Sequence, residues 1–210
     1  MKYRWIKHIV WALMLLPVLA VAKDYKAGTH YTELATPIPT QSGDKIEVLE
    51  FFWYGCPHCF HFEPIISKWK KTAPDYVYFV RVPAPLNPKW MVHTKTYYAL
   101  ELMGKLDKYH QAIFDALHVE RKKLYTLDAI ADYLASKGLD KKAFIDAYNS
   151  FAVEMRARQA MQLGRDYGLN GVPMLTVNGK YVISASQAGS YEEMINITNY
   201  LIAREAKAKK

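Results

Sequence analysis

Cys56 and Cys59 are the only cysteines in the 210-residue chain, and only Pro57 and His58 separate them. A disulfide closing so short a loop would stabilise the fold by about 2 kcal/mol, against about 5 for a 100-residue loop. The pair is therefore a poor staple. It is well placed as a reversible redox couple, because two sulfurs that stay within reach can exchange one bond for another. His58 is adjacent to both sulfurs; it either tunes a Cys56 thiolate by charge or hydrogen bonding, or is simply a polar residue in a first helical turn. Pro57 suits that first turn, where a missing N–H costs nothing. Metal chemistry has weaker footing. A c-type haem site needs histidine where Phe60 stands, and a zinc or copper site built from Cys56, Cys59 and His61 lacks a fourth ligand. No metal or cofactor is expected.

The flanking pattern says which elements must position the pair. Ile46 to Trp53 reads IEVLEFFW, an almost continuously apolar run typical of a strand buried on both faces. From Pro57 the spacing is helical, with Phe62, Ile65, Ile66 and Trp69 on one face and Pro64 as a kink. A second strand is predicted from Tyr76 to Val82. Cys56 thus falls where a strand becomes a helix, and the unpaired N–H groups and dipole of a helix N-terminus favour a thiolate. That makes Cys56 the nucleophile or leaving group, and Cys59, one turn on, the less exposed resolving thiol. Glu50 shares a face with Ile46, Val48 and Phe52 in the buried strand. Either it is a carboxyl of raised pKa that relays protons to or from Cys59, or it is a partly solvated strand residue, or it pairs with Arg81 on the neighbouring strand.

Further along, the spacing predicts helices over His93 to Met103, Lys108 to Leu117, Leu127 to Ser136, Lys141 to Tyr148 and Phe151 to Tyr167. A hairpin follows, with strands Met174 to Val177 and Lys180 to Ile183 joined by Asn178-Gly179. The last helix starts at Ser190, whose pairing with Glu193 is a capping box. A short strand is also expected between Tyr31 and Leu34. Strand, helix, strand, helical block, hairpin and helix is an α/β order, that of the thioredoxin-like fold with an inserted helical domain. His61, His93, His110 and His118 lack triad-like partners and read as surface or satisfied residues.

Composition sets the outer bounds. With 51% hydrophobic and 14% aromatic residues, the chain can bury a proper core. Residues 1–22 run from Lys2, Arg4 and Lys7 through an apolar stretch to Ala20-Val21-Ala22, the pattern of a cleaved secretory signal. A permanent membrane anchor is the rival, but the apolar run is shorter than the roughly 20 residues a span needs. Cleavage would lower the formal charge from +8 to +5. With no basic stripe interleaved with aromatics, no nucleic-acid partner is expected.

The stretches VLEFFWYGCPHCFHFEP and GVPMLTVNGKY resemble the DsbA family of periplasmic thiol:disulfide oxidoreductases, and the resemblance extends over essentially the whole chain after residue 22. It implies a thioredoxin-like domain at 23–83 and 168–210, with the helical insertion at 84–167. It also implies a periplasmic oxidase that donates a Cys56–Cys59 disulfide to reduced exported proteins and is reoxidised by a membrane quinone-linked partner of the DsbB type. A monomer is expected. The family further implies a cis Pro173 beside the disulfide, where a plain trans proline opening the hairpin is the alternative. Val172 would then line the site of an extended substrate strand. Trp53, Tyr54 and Pro173 would form an apolar docking groove. Glu50, Glu63 and Arg81 would form a charged cluster, although the family more often carries lysine at the last position. Two alternatives stay open. A disulfide isomerase or reductase uses the same chemistry, although too few residues precede the first main strand to build a dimerisation module. A metal-binding carrier module is the other.

Overall fold

The computed structural model describes residues 24–209, so the leader expected at residues 1–22 lies outside the described residues. The lead segment contributes only a two-residue strand, β1 (Thr32–Glu33). β2 (Ile46–Phe52) is the run IEVLEFF, with every residue buried. A strand apolar on both faces needs neighbours at both edges and cover on both sides. β3 (Val77–Pro83) lies parallel to it, with Glu50 opposite Arg81. β4 (Met174–Val177) lies antiparallel along its other edge, with Phe51 opposite Met174. β5 (Tyr181–Ser184) pairs with β4, and β1 closes the far edge, giving the order β1-β5-β4-β2-β3.

The helices are α1 (Pro57–Thr72), α2 (Pro88–Leu102), α3 (Leu106–His118), α4 (Leu127–Ser136), α5 (Lys141–Tyr148), α6 (Phe151–Asp166), α7 (Ala185–Ala188) and α8 (Tyr191–Ala208). Side chains alternate across β2, and two cores result. Val48 joins Leu175 and Ile183 from the sheet, Phe62 and Ile66 of α1, and Met194, Ile197 and Leu201 of α8. Leu49 and Phe51 instead pack with Tyr97, Leu100, Phe114, Ile130 and Phe144 of α2 to α5. Each fully buried Phe, Leu or Ile contributes roughly 1.5–3 kcal/mol. These layers, rather than the short β1, therefore fix β2 in place. Among the described residues no helix is long and apolar enough to cross a membrane.

Departures from the sequence expectation are local. α2 starts five residues earlier than His93, because Pro88 opens it and the Asn87 side chain accepts from Trp90 N at 3.2 Å. α7, a single turn capped by Ser184, is too short to carry a periodic signal. Pro64 sits inside α1 without ending it; the helix continues to Thr72. The hairpin turn holds both Asn178 (φ 52°) and Gly179 (φ 68°) in the left-handed region. Gly179 also lies so close to the lead segment that a Cβ there would come 1.9 Å from the Ile38 carbonyl oxygen, and Ile38 N donates to Gly179 O at 2.8 Å.

Candidate active site

β2 ends at Phe52, and the chain turns so that Cys56 N donates to Trp53 O at 3.0 Å. Gly55 leaves room for the Trp53 indole over this turn, since a Cβ there would collide with Cζ2 of the ring. The Trp53 indole stacks on Trp90, with centroids 4.3 Å apart and planes 6° from parallel. Cys56 is the N-cap of α1, with extended backbone and Pro57 at the first helical position. Pro57 and His58 are exposed, Cys56 is 8% exposed and Cys59 1%. Both cysteines are free thiols.

The two sulfurs are electrostatically unequal. A hydrogen bond from the Cys59 thiol is the largest influence on Cys56, and with the N–H groups of Cys59 and His58 and the charge of His58 it outweighs burial. Cys56 is thereby lowered from 9.0 to about 6. Burial, followed by the bond to Cys56, the charge on Cys56 and that of Glu50, holds Cys59 well above the usual thiol range. Across the site, the Val172–Pro173 peptide bond is cis, and Cys56 Sγ donates to Val172 O at 3.5 Å. Val172 is half-buried and Pro173 buried.

Beneath the sulfurs lies a buried charged network. Arg81 Nε donates to Glu50 Oε2 at 2.9 Å, and its terminal nitrogen to Glu63 Oε1 at 2.8 Å and to Ser67 Oγ at 3.0 Å. Burial raises the Glu50 carboxyl to about 7, with the Arg81 charge pulling down and the Glu63 charge pushing up. Burial also pushes Glu63 up, but its contacts with His110, Arg81 and Ser67 outweigh that and hold it below the usual range. Nε2 of His110 lies 3.3 Å from Glu63 Oε2, within ion-pair reach but off-line for a hydrogen bond. Burial lowers the His110 imidazole, which favours the neutral ring, and the Tyr54 hydroxyl lies 2.8 Å from its Nδ1.

Of the residues singled out by sequence, Cys56, Cys59, Pro57, His58, Val172 and Pro173 come together, and Glu50 lies close below them. Glu50 has a raised carboxyl pKa and is also paired with Arg81. Tyr54 requires correction as a docking residue. Its exposure is 0%, and its ring lies against Phe52 and Phe114 with its hydroxyl on His110. The turn after β2 sends this side chain inward, and only Trp53, half-buried, stays at the surface. Sequence reasoning missed His110 and Tyr191. His110 falls on the apolar stripe of Ile113, Phe114 and Leu117, all buried with it, and that spacing was the available signal. Tyr191 places its hydroxyl 3.1 Å from Nδ1 of His58, and nothing local in the sequence announces it. Among the described residues no group of three or more His, Cys, Asp or Glu is arranged to hold a metal ion.

A family model described as a DSBA-like thioredoxin domain matches residues 92–195. The thiol:disulfide interchange protein DsbA of Pseudomonas aeruginosa is 45% identical over 196 residues, covering 93% of each chain. The protein of the same name from Azotobacter vinelandii is 45% identical over 89% of this chain and 87% of its own. The crystal structure of Pseudomonas aeruginosa DsbA superposes with a TM-score of 0.85 at 46% identity, covering 89% of this chain and 97% of that one. Near-complete coverage at such identity, on a thioredoxin-like sheet carrying an unequal pair of thiols, shows that the chain belongs to the DsbA family of protein thiol:disulfide oxidoreductases.

Proposed function

We propose that this protein is an exported, periplasmic dithiol oxidase that donates a Cys56–Cys59 disulfide to reduced, newly exported proteins. The observation that carries this reading is the inequality of the sulfurs: Cys56 lowered to about 6 at a helix N-terminus, Cys59 buried and raised. A substrate thiolate attacks Sγ of Cys56; the new sulfur–sulfur bond forms as the Cys56–Cys59 bond breaks, and the electron pair passes to Cys59. Cys59 is a poor leaving group unless protonated, and the Glu50 carboxyl, held near 7, supplies that proton in this reading. A second substrate thiolate then attacks the substrate's own sulfur in the mixed disulfide, and Cys56 departs as a stable thiolate. Two electrons have moved to the enzyme. A membrane quinone-linked partner of the DsbB type takes them away and restores the disulfide.

The substrate is an extended strand lying along Val172 and Pro173, read through main-chain contacts, so many sequences are accepted. Trp53, Pro57 and His58 supply the surrounding surface, without Tyr54. Residues 84–167 act as a helical insertion over a thioredoxin-like domain of residues 23–83 and 168–210, and the protein works as a monomer. The test is oxidation of a dithiol peptide by the preoxidised protein. Cys56→Ser abolishes it, and activity retained in that variant would sink the mechanism. A redox potential measured against glutathione, with an assay for reshuffling scrambled disulfides, separates oxidase from isomerase and reductase.

A further inference from the structure

Tyr191 is the first residue of α8, whose cap is Ser190. Its ring lies against Phe62, with centroids 5.5 Å apart, and Phe62 is fully buried one turn beyond His58 in α1. Its hydroxyl meets Nδ1 of His58 at 3.1 Å. His58 is itself exposed. An exposed imidazole samples several staggered rotamers and spends only part of its time beside a given sulfur. The bond from a phenol anchored at its ring removes that freedom.

We propose that Tyr191 is a positioning residue for the redox pair, holding His58 at Nδ1 so that the imidazole stays beside Cys56 and stabilises its thiolate. This rests on the reading of His58 as the residue that tunes Cys56. When the imidazole is charged, Nδ1–H donates to the phenol oxygen and Nε2–H remains to face other acceptors; when it is neutral, the hydroxyl donates to Nδ1. Tyr191 itself stays a neutral phenol. Burial first, and then the charge at Cys56 and Cys59, hold it above its usual range. The residue therefore adds no anion of its own beside the sulfurs. It links the last helix of the chain to the dipeptide between the cysteines.

The experiment compares the wild-type protein with Tyr191→Phe, His58→Ala and the double variant. The Cys56 thiolate is titrated by ultraviolet absorbance and the potential is measured against glutathione. Tyr191→Phe keeps the ring on Phe62, and its melting temperature checks that the fold is intact. The expected result is a Cys56 pKa higher by about 0.5, roughly threefold in the thiolate equilibrium, and a potential about 14 mV more negative, that same threefold at 29.6 mV per decade. In the His58→Ala background the same substitution should change neither value. An unchanged or lowered pKa in Tyr191→Phe, while His58→Ala raises it, overturns the proposal and leaves the role of His58 intact. An equal shift with and without His58 also overturns it, because Tyr191 would then act directly. No effect of His58→Ala removes the premise, and the proposal fails with it.

Discussion

Glu50 is 1% exposed, shares Arg81 with Glu63, and is held near 7, so at neutral pH it is poised between its two protonation states. A group in that condition can give up a proton and recover it in each turnover. Mixed-disulfide formation, corrected for the substrate's own thiolate fraction, should therefore slow as pH rises through about 7. Glu50→Gln should cut that rate roughly tenfold or more and flatten the dependence, as stopped-flow measurements on a single turnover would show. A pH profile unchanged by the substitution would exclude Glu50 from proton transfer. At this scale the sequence was informative wherever one local pattern placed a residue. The cysteine spacing marked the pair, and a carboxylate on the same strand face as Ile46, Val48 and Phe52 marked Glu50. It was silent on Tyr191, because the contact with His58 joins residues 133 apart. It was misleading on Tyr54, because strand alternation stops at Phe52 and the turn, rather than the pattern, decides where the next side chains point.

α3 grips the active-site turn at two points. His118 Nε2 lies 2.7 Å from the Tyr54 carbonyl oxygen, and His110 Nδ1 lies 2.8 Å from the Tyr54 hydroxyl. The turn that presents Cys56 is thus held by a helix from the block between β3 and β4 as well as by β2. Tyr54→Phe keeps the ring but leaves His110 Nδ1 without its partner in a buried setting, which costs about 1–3 kcal/mol. For a chain of this size that corresponds to a fall in melting temperature of roughly 2–4 °C per kcal/mol. No fall would mean that the bond contributes nothing to stability. Gly55→Ala tests the turn from the other side. Its Cβ meets the Trp53 ring at 2.4 Å, so the indole must leave its stack on Trp90. The expected cost is about 1–3 kcal/mol, typical of overpacking, read by denaturant unfolding. Periodicity and caps made most elements legible, including α4 and α5 to the residue. It was blind to the start of α2, which a proline and an asparagine side chain decide before any apolar repeat begins.

Across the whole molecule, stabilising the Cys56 thiolate favours the reduced form, while the loop closed by the disulfide is so short that its entropic contribution to the oxidised form is only about 2 kcal/mol. Cys56 is an acid whose pKa falls from 9.0 in the unfolded chain to about 6 on folding. Its contribution to the reduced form is complete above 9 and is lost as pH falls through 6. Cys59 is shifted the other way, and its contribution is lost as pH rises past the unfolded thiol value. The reduced protein should therefore melt above the oxidised one at pH 8, with the difference narrowing at pH 5; scanning calorimetry of both forms gives the answer, and a higher value for the oxidised form at pH 8 contradicts it. The sheet that unites the site also imposes an order on its assembly. β2 pairs with β3 nearby in sequence, but its other edge waits for β4, and the Val172 carbonyl that receives Cys56 lies 116 residues further on. Synthesis runs from the N-terminus, so a growing chain presents both thiols long before the loop that flanks them exists. A member of a family of thiol:disulfide oxidoreductases is thus, for most of its own synthesis, a half-built chain carrying two cysteines.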